Sequence, residues 1–278
     1  MREMTIGQFY STDSHVHRLD PRVKIVITFV YVISLFFMRS MVMYGLAFIA
    51  LLVYIKLSNV PLRYIIKGTK ILVWFLLFTV ILQLFTVQGA QTIIEWNFIR
   101  ITKAGAYAAC YLFLRLMFMI VGSSMMTYTT TPNQLTDGLE KMLSWMNKLR
   151  VPVHELAMIM SIALRFIPVL TEELDRIMKA QMARGVDFKE GNIFERLKKM
   201  MPIIVPLFVS AIRRSNELAL AMDARCYHGG EGRTKMKPLK YKRGDYIAYA
   251  LVVIYLIVLI VIKRMLHLSM FDAMAGNL

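Results

Sequence analysis

The sequence predicts an all-α membrane protein with about five transmembrane helices and a charged domain of three long amphipathic helices. Hydrophobic residues make up 57% of the chain, and the mean hydropathy is +0.53. The hydrophobic fraction exceeds that of ordinary soluble domains. The hydrophobic residues are gathered in runs that carry almost no charge. Segment 129–243 differs, because charges of both signs are dense there and helix-start and helix-stop residues recur.

Five apolar runs predict the membrane helices. They cover residues 25–38, 41–55, 71–87, 104–128 and 246–262. The first two runs are shorter than the ~20 residues that a span needs, so flanking Lys and Arg side chains must reach the interface. If these two runs form one broken element, four spans remain and the orientation of the last span is inverted. Arg115 lies inside the fourth run and is predicted to pair within the bundle, to face a partner or to extend toward the interface.

The charge of the loops predicts the orientation. The formal net charge is +16, and Lys and Arg are concentrated in segments 56–70 and 129–243. Because Lys and Arg accumulate on the cytoplasmic side of membrane proteins, these segments and the N-terminus are predicted to lie inside. Segment 88–103 and the C-terminus are then outside. The predicted domains are a lead with four membrane helices (1–128), a cytoplasmic domain (129–243) and a last membrane helix with a tail (244–278).

The first helix of the charged segment is predicted from its capping residues. Thr131 precedes a proline, and Gln134 follows three residues later, as in a capping box. Apolar residues then recur on one helical face until the helix stops before Pro152.

The other two helices of this segment are predicted at about 153–184 and 192–225 from their caps. Gly185 ends the former, and Pro168 is expected to kink it. Glu195 completes a capping box at the start of the latter. The purest apolar stretch of the third helix, 200–212, is too short to cross a membrane, so both helices are predicted to lie along its inner surface.

These two helices end in similar triplets, Ala183-Arg184-Gly185 and Ala224-Arg225-Cys226. A guanidinium between small side chains can enter a groove on a partner and bind a carboxylate through two hydrogen bonds. An Arg in the last helical turn also complements the helix dipole. The residues alone leave both interpretations open.

Several other activities are disfavoured by the residues. No Gly-Lys dipeptide occurs, so the chain has no P-loop lysine. His15 and His17 lack a third metal ligand nearby. Acidic residues mixed into the basic segment argue against nucleic-acid binding. A membrane enzyme acting on lipid headgroups remains the alternative, but Glu172, Glu173 and Asp175 alternate with basic residues and indicate a solvated helix face.

Three further motifs follow one another along the chain. They are Gly7-Gln8-Phe9-Tyr10 with Asp13-Ser14 and His17-Arg18-Leu19-Asp20-Pro21-Arg22, Pro152-Val153-His154-Glu155-Leu156-Ala157 with the segment Ser161 to Pro168, and Arg213-Arg214-Ser215-Asn216-Glu217 with Ala224-Arg225-Cys226-Tyr227. Together they span nearly the whole chain and resemble the T components (EcfT family) of energy-coupling factor (ECF) transporters.

The resemblance implies a non-catalytic subunit of an ABC-type importer of vitamins or micronutrients in a prokaryotic cell membrane. In that family, the T component joins two cytoplasmic ATPases to a substrate-binding membrane protein, the S component. ATP and magnesium are then expected on the ATPases, and no cofactor or metal on this chain. The three long helices correspond to coupling helices, and their two end triplets to docking sites for the ATPases. The implied docking residues are Ala183, Arg184, Gly185, Ala224, Arg225 and Cys226, with Cys226 at a position where Gly is also common.

Overall fold

The computed structural model describes residues 9–38, 40–86, 92–96, 99–188, 192–229 and 238–275. Gly7 and Gln8 of the first motif lie outside these ranges. The described elements are α1 (Pro21–Phe36), α2 (Met41–Ser58), α3 (Leu62–Thr86), β1 (Thr92–Trp96), β2 (Ile99–Thr102), α4 (Lys103–Thr129), α5 (Pro132–Leu143), a 3₁₀ helix (Ser144–Leu149), α6 (Val153–Ala183), α7 (Ile193–Asp223) and α8 (Arg243–Ala275). The all-α class is confirmed.

A short antiparallel hairpin was not predicted from the sequence. β1 and β2 pair with Trp96 opposite Ile99 and Glu95 opposite Arg100. Segment 88–103 was predicted only as a polar loop between two spans. Pairs of short strands are hard to recognise because their stabilisation comes from the partner strand and not from local periodicity.

The membrane character of the chain is confirmed by helix length and composition. Among the described residues, α2, α4, α6 and α8 are long and apolar enough to cross a membrane. α3 becomes a fifth if its two parts, which meet at 61°, form one span. α1 was predicted as a span but has only 16 residues, about 24 Å at the rise of an α-helix. α6 contains Arg165, and its position at the membrane surface stays a prediction.

The chain divides into two compact units. One, here the charged unit, is residues 139–238; the other, here the membrane unit, is residues 7–138 and 239–278. In the membrane unit, α4 packs against α1, α2 and α3, and α8 packs against α1 and α2. The predicted division at 129 and 243 concerned the side of the membrane and stays a prediction.

Gly122 allows the close approach of α1 and α4. A Cβ at this position would lie 2.7 Å from the ring of Tyr31, which is closer than side chains tolerate. Small residues permit such contacts between membrane helices. The buried core around this contact includes Leu35, Tyr44, Ala47, Val121, Met125 and Leu259.

Arg115 has a partner inside the bundle, as in the first of the three interpretations above, and contact with another subunit stays a prediction. Its Nε donates to the hydroxyl of Tyr44 over 3.2 Å. Its guanidinium also lies 5.8 Å from the ring centroid of Phe36, within the range of a cation–π contact. Tyr44 is 71 positions away in the chain, so local sequence gave no indication of this partner.

Buried charged residues join the starts of α1 and α8. Asp245 accepts hydrogen bonds from the backbone N–H of Asp20 over 2.8 Å and of Lys242 over 2.7 Å. Asp20 caps α1 and accepts two bonds from the guanidinium of Arg22. That guanidinium lies 4.0 Å from the ring centroid of Tyr241. Burial raises the pKa of Asp20, but the bonds from Arg22 outweigh this and leave the pKa below its usual value.

Lys24, just before the first apolar run, completes this group. It is 1% exposed, and its Nζ donates to the carbonyl oxygens of His17 over 3.1 Å and Thr129 over 2.8 Å. Burial lowers the pKa of Lys24 to about 8, against the opposing influence of Asp20 and Asp245. Asp20, Arg22, Lys24 and Asp245 are called the anchor cluster below. They tie α1, α4 and α8 together at one end.

Candidate functional site

The end of α6 is closed by two backbone hydrogen bonds. Gly185 N–H donates to the Met182 carbonyl over 3.0 Å, and Val186 N–H donates to the Gln181 carbonyl over 3.1 Å. Gly185 has φ +87°, the left-handed conformation that commonly ends a helix. Arg184 therefore stands at the last turn of a helix whose end is well defined.

The end of α7 repeats this arrangement. Cys226 N–H donates to the Asp223 carbonyl over 2.9 Å, and Tyr227 N–H donates to the Met222 carbonyl over 3.1 Å. Cys226 has φ +55°. Arg225 thus occupies the same backbone position as Arg184. The two triplets, 183–185 and 224–226, are called the helix tips below.

The third position of each tip has a left-handed backbone. Glycine adopts this conformation freely, whereas a residue with a Cβ incurs a cost of about 1–2 kcal/mol. In the sequence, Cys226 resembles Gly185 only in its small size. The structure adds that Cys226 takes a conformation in which Gly185 is unstrained. In the sequence, only the glycine of the first triplet indicated a left-handed backbone at this position.

Both tip guanidiniums are exposed. Within the described ranges, neither Arg184 nor Arg225 forms an ion pair or a side-chain hydrogen bond. Arg214, by contrast, lies on α7 and contacts Glu173 of α6 over 3.5 Å. The tips therefore hold charged groups whose hydrogen-bonding capacity is not used by any described residue.

The Glu173–Arg214 contact also indicates where the two tips lie. Glu173 is ten residues before Ala183, and Arg214 is ten before Ala224, so each tip extends ~15 Å beyond the contact. The start of α7 is ~30 Å from the contact in the other direction along that helix. If the two helices were parallel, the distance from the end of α6 to the start of α7 would be the sum of these two lengths. The segment that joins the helices reaches at most ~36 Å, which is less than that sum, so the helices are not parallel. The tips are consequently separated by roughly 20 Å or more.

Comparisons with known proteins agree with the motifs. Residues 12–236 match the model of the cobalt transport protein family, CbiQ. The chain is 47% identical to a protein of Clostridium kluyveri over 89% of this chain and 92% of that protein. It is 45% identical to one of Acidaminococcus fermentans (95% and 98%) and 44% identical to one of Bacillus subtilis (88% and 92%). Each of these relatives is called an energy-coupling factor transporter transmembrane protein, EcfT. The chain belongs to the EcfT family.

The second EcfT motif lies at the corner where α6 begins. His154 Nδ1 is 3.0 Å from the Glu140 carboxylate. The side-chain oxygen of Asn147 accepts a hydrogen bond from Val153 N–H over 3.3 Å. These contacts position the start of α6 within the charged unit. Sequence analysis identified His154 only by resemblance and did not predict Glu140 or Asn147 as its neighbours.

α6 and α7 also present an apolar surface that the described part of the charged unit leaves uncovered. Its exposed members are Leu156, Ile159, Met160, Ile167, Phe194, Leu197, Met200, Met201, Ile204, Val205, Phe208, Val209 and Ile212. Apolar patches of this extent mark surfaces that contact other proteins or lipid. This surface is called the apolar face below.

The remaining candidates have ordinary structural partners. His17 receives a hydrogen bond at Nδ1 from the Ser14 hydroxyl over 2.7 Å when its Nε2–H donates to the Tyr10 carbonyl over 3.0 Å. The described residues contain no group of three or more His, Cys, Asp or Glu side chains that could hold a metal ion. Because Glu173 is engaged with Arg214, a converging carboxylate site for a lipid-headgroup enzyme finds no support.

Proposed function

We propose that this EcfT-family chain couples two cytoplasmic ATPases to a substrate-binding membrane subunit in an importer of vitamins or related micronutrients. The observation that carries the proposal is the pair of helix tips. They share one backbone geometry, and each exposes an arginine that is bonded to no described residue. One tip would dock into each ATPase.

The chemistry of the tips suits such docking. A guanidinium offers a planar set of donors that can bind a carboxylate through two parallel hydrogen bonds. Ala183 and Gly185 flank Arg184, and Ala224 and Cys226 flank Arg225, so small side chains leave room for the walls of a groove. A separation of roughly 20 Å or more between the tips leaves room for each tip to enter a different ATPase.

The helices supply a route for transmitting motion. When ATP binding moves the two ATPases, the docked tips would move with them and change the arrangement of α6 and α7. The apolar face on these helices would then pass the change to the S component and to lipid. Met160, Met200 and Met201 suit a surface that changes partners, since methionine side chains repack easily.

The chain itself is proposed to be non-catalytic. It lacks the Gly-Lys pair of a P-loop, and ATP with magnesium would be bound by the ATPases. The basic composition of segments 56–70 and 129–243 supports a cytoplasmic charged unit and N-terminus in a prokaryotic plasma membrane.

Substitution of the tip arginines tests this function. Arg184→Ala and Arg225→Ala should each weaken recovery of the ATPases by roughly 2–5 kcal/mol, because a partner carboxylate would be left buried and unpaired. Lys should restore little, because an ammonium cannot form the planar contact. Arg176 is an exposed arginine on α6 away from the tip, so Arg176→Ala is the matched control.

The measurements are co-purification of the ATPases and substrate uptake into vesicles. Thermal stability of the isolated variants should stay within about 0.5 kcal/mol of the parent, as expected for surface substitutions. Full uptake together with full ATPase recovery by the Arg184→Ala, Arg225→Ala double variant would refute docking through the tips.

A further inference from the structure

A cleft with a volume of about 280 Å³ lies within the membrane unit. α1 and α2 each pack against both α4 and α8, so the four helices surround it. Its wall includes Thr28, Tyr31, Tyr54, Gly122, Ala248 and Tyr255. Apart from the hydroxyls of these side chains, the wall is formed by aliphatic and aromatic groups.

The cleft is open to the surface between α2 and α8. Val53 and Leu57 on α2 and Leu251 on α8 line it, and they are 49%, 44% and 53% exposed. α2 and α8 are both long and apolar enough to span a membrane. The opening therefore faces the acyl chains of the bilayer, and an acyl chain can enter without crossing a polar barrier.

The end of the cleft nearest the helix termini is bordered by cations. Lys56 adjoins Leu57, and Lys242 and Arg243 lie at the start of α8; all three are exposed. Gly244, next to Arg243, approaches Leu19 in the cleft wall, where an added Cβ would lie 3.7 Å from the leucine side chain.

Nearby acidic groups do not cancel this charge. Asp20 and Asp245 are buried in the anchor cluster, and Asp13 forms an ion pair with Arg18. The border is therefore positive and complementary to an anionic headgroup.

We propose that an anionic phospholipid binds here, with one acyl chain in the cleft and its headgroup near Lys56, Lys242 and Arg243. The lipid belongs to the leaflet that contains the start of α1, the end of α2 and the start of α8. Only the designation of that leaflet as cytoplasmic rests on the function proposed above.

Photolabelling of the full-length chain in lipid nanodiscs tests the site. The probe is phosphatidylglycerol with a photoreactive group on one acyl chain, and the neutral comparison is phosphatidylcholine with the same chain. Mass spectrometry then maps the labelled peptides. The label should be concentrated on the cleft-facing residues of α1, α2 and α8, and phosphatidylglycerol should label them more strongly.

Two alanines on α8 provide a matched pair of variants. Ala248 lines the cleft, whereas Ala250 is exposed and lies outside it. Ala248→Phe should fill the cleft and reduce its labelling to that of the exposed helix faces. Ala250→Phe should leave the labelling unchanged.

The charge variants decide the result even if Ala248→Phe does not fold. Lys56→Gln and Arg243→Gln should each reduce phosphatidylglycerol binding roughly fivefold, the effect of one cation near a membrane surface. Equal labelling by both lipids, labelling spread evenly over all lipid-facing helices, or charge variants without effect would overturn the proposal. Because no ATPase is present, failure of tip docking would leave these results unchanged.

Discussion

The anchor cluster and the helix tips use charged side chains in opposite ways. In the membrane unit, Lys24 and Asp245 are each 1% exposed, and their hydrogen bonds are formed within the chain. In the charged unit, Arg184 and Arg225 are exposed and bonded to no described residue. A buried charge must be satisfied internally because its desolvation is costly. An exposed arginine remains hydrated until a partner excludes water, so it is available for assembly.

The comparison separates residues that maintain the fold from residues available to a partner. Hydrogen bonds of the anchor cluster connect positions far apart in the chain, as in the 225-residue separation of Asp20 and Asp245. The hydrogen bonds that shape the tips stay within one helical turn and its continuation. Loss of an anchor residue should therefore act on global stability, whereas changes at a tip should act locally.

The largest expected effect is that of Asp245→Ala. This substitution leaves the buried N–H groups of Asp20 and Lys242 without their acceptor and removes a charge near Lys24. The free energy of unfolding should fall by about 2–5 kcal/mol, measured by thermal or denaturant unfolding in detergent. Asp13→Ala, which removes an exposed ion pair with Arg18, should cause no measurable change. Equal unfolding temperatures for the two variants would contradict the inference that the buried charges, and not the exposed ones, maintain the fold.

A smaller effect is expected from the backbone of the tips. Gly185→Ala should destabilise the end of α6 by about 1 kcal/mol, because Ala is strained at positive φ. Cys226→Gly should stabilise the end of α7 by up to about 1 kcal/mol for the same reason. Amide hydrogen exchange at Val186 and Tyr227 reports this local opening.

Ala224→Gly provides the control for the tip substitutions. It should loosen the end of α7, since Gly disfavours helical positions. If Cys226→Gly also accelerated exchange at Tyr227, the left-handed conformation would not be the source of strain.

The smallest effect is a dependence of stability on pH through His17. Burial lowers the pKa of His17; the Lys24 charge also lowers it, while the bond to the Tyr10 carbonyl and the Asp13 charge oppose the shift. The folded state then binds fewer protons than the unfolded state just below the usual histidine pKa of about 6.5. Stability should decrease as pH falls through this range. His17→Gln should flatten the unfolding profile between pH 5 and 7, and an unchanged slope would contradict the assignment.

The starts of the helices in the charged segment could be predicted from the sequence because they depend on contacts between nearby residues. The predicted capping box at α5 is present: Gln134 N–H donates to the Thr131 hydroxyl over 3.3 Å, and Thr131 N–H donates to the Gln134 side chain over 3.2 Å. At the start of α7, Asn192 N–H donates to the Glu195 carboxylate over 3.3 Å. Such contacts depend on residues three positions apart, so the bounds of these helices follow from neighbours in the chain.

The docking role of the tips depended on more than local pattern. The triplets and their similarity were evident in the sequence, but an Arg in the last turn is also common for its interaction with the helix dipole. Resemblance to a family favoured docking, and the role of these six residues stays a prediction. The shared left-handed position at Gly185 and Cys226 required backbone coordinates, because the residue type of Cys226 does not indicate positive φ.

The sequence by itself determined the membrane class, the helical composition, the caps of the charged segment and the family, since these depend on composition, on short spacings and on motifs that keep their order. The tertiary structure decided which distant groups meet: Arg115 with Tyr44, Asp245 with Asp20, and Gly122 with Tyr31. It also decided that four helices of the membrane unit leave a cleft between them. Local periodicity indicates which face of a helix is apolar, but the neighbour that covers that face is chosen by packing among helices far apart in the chain.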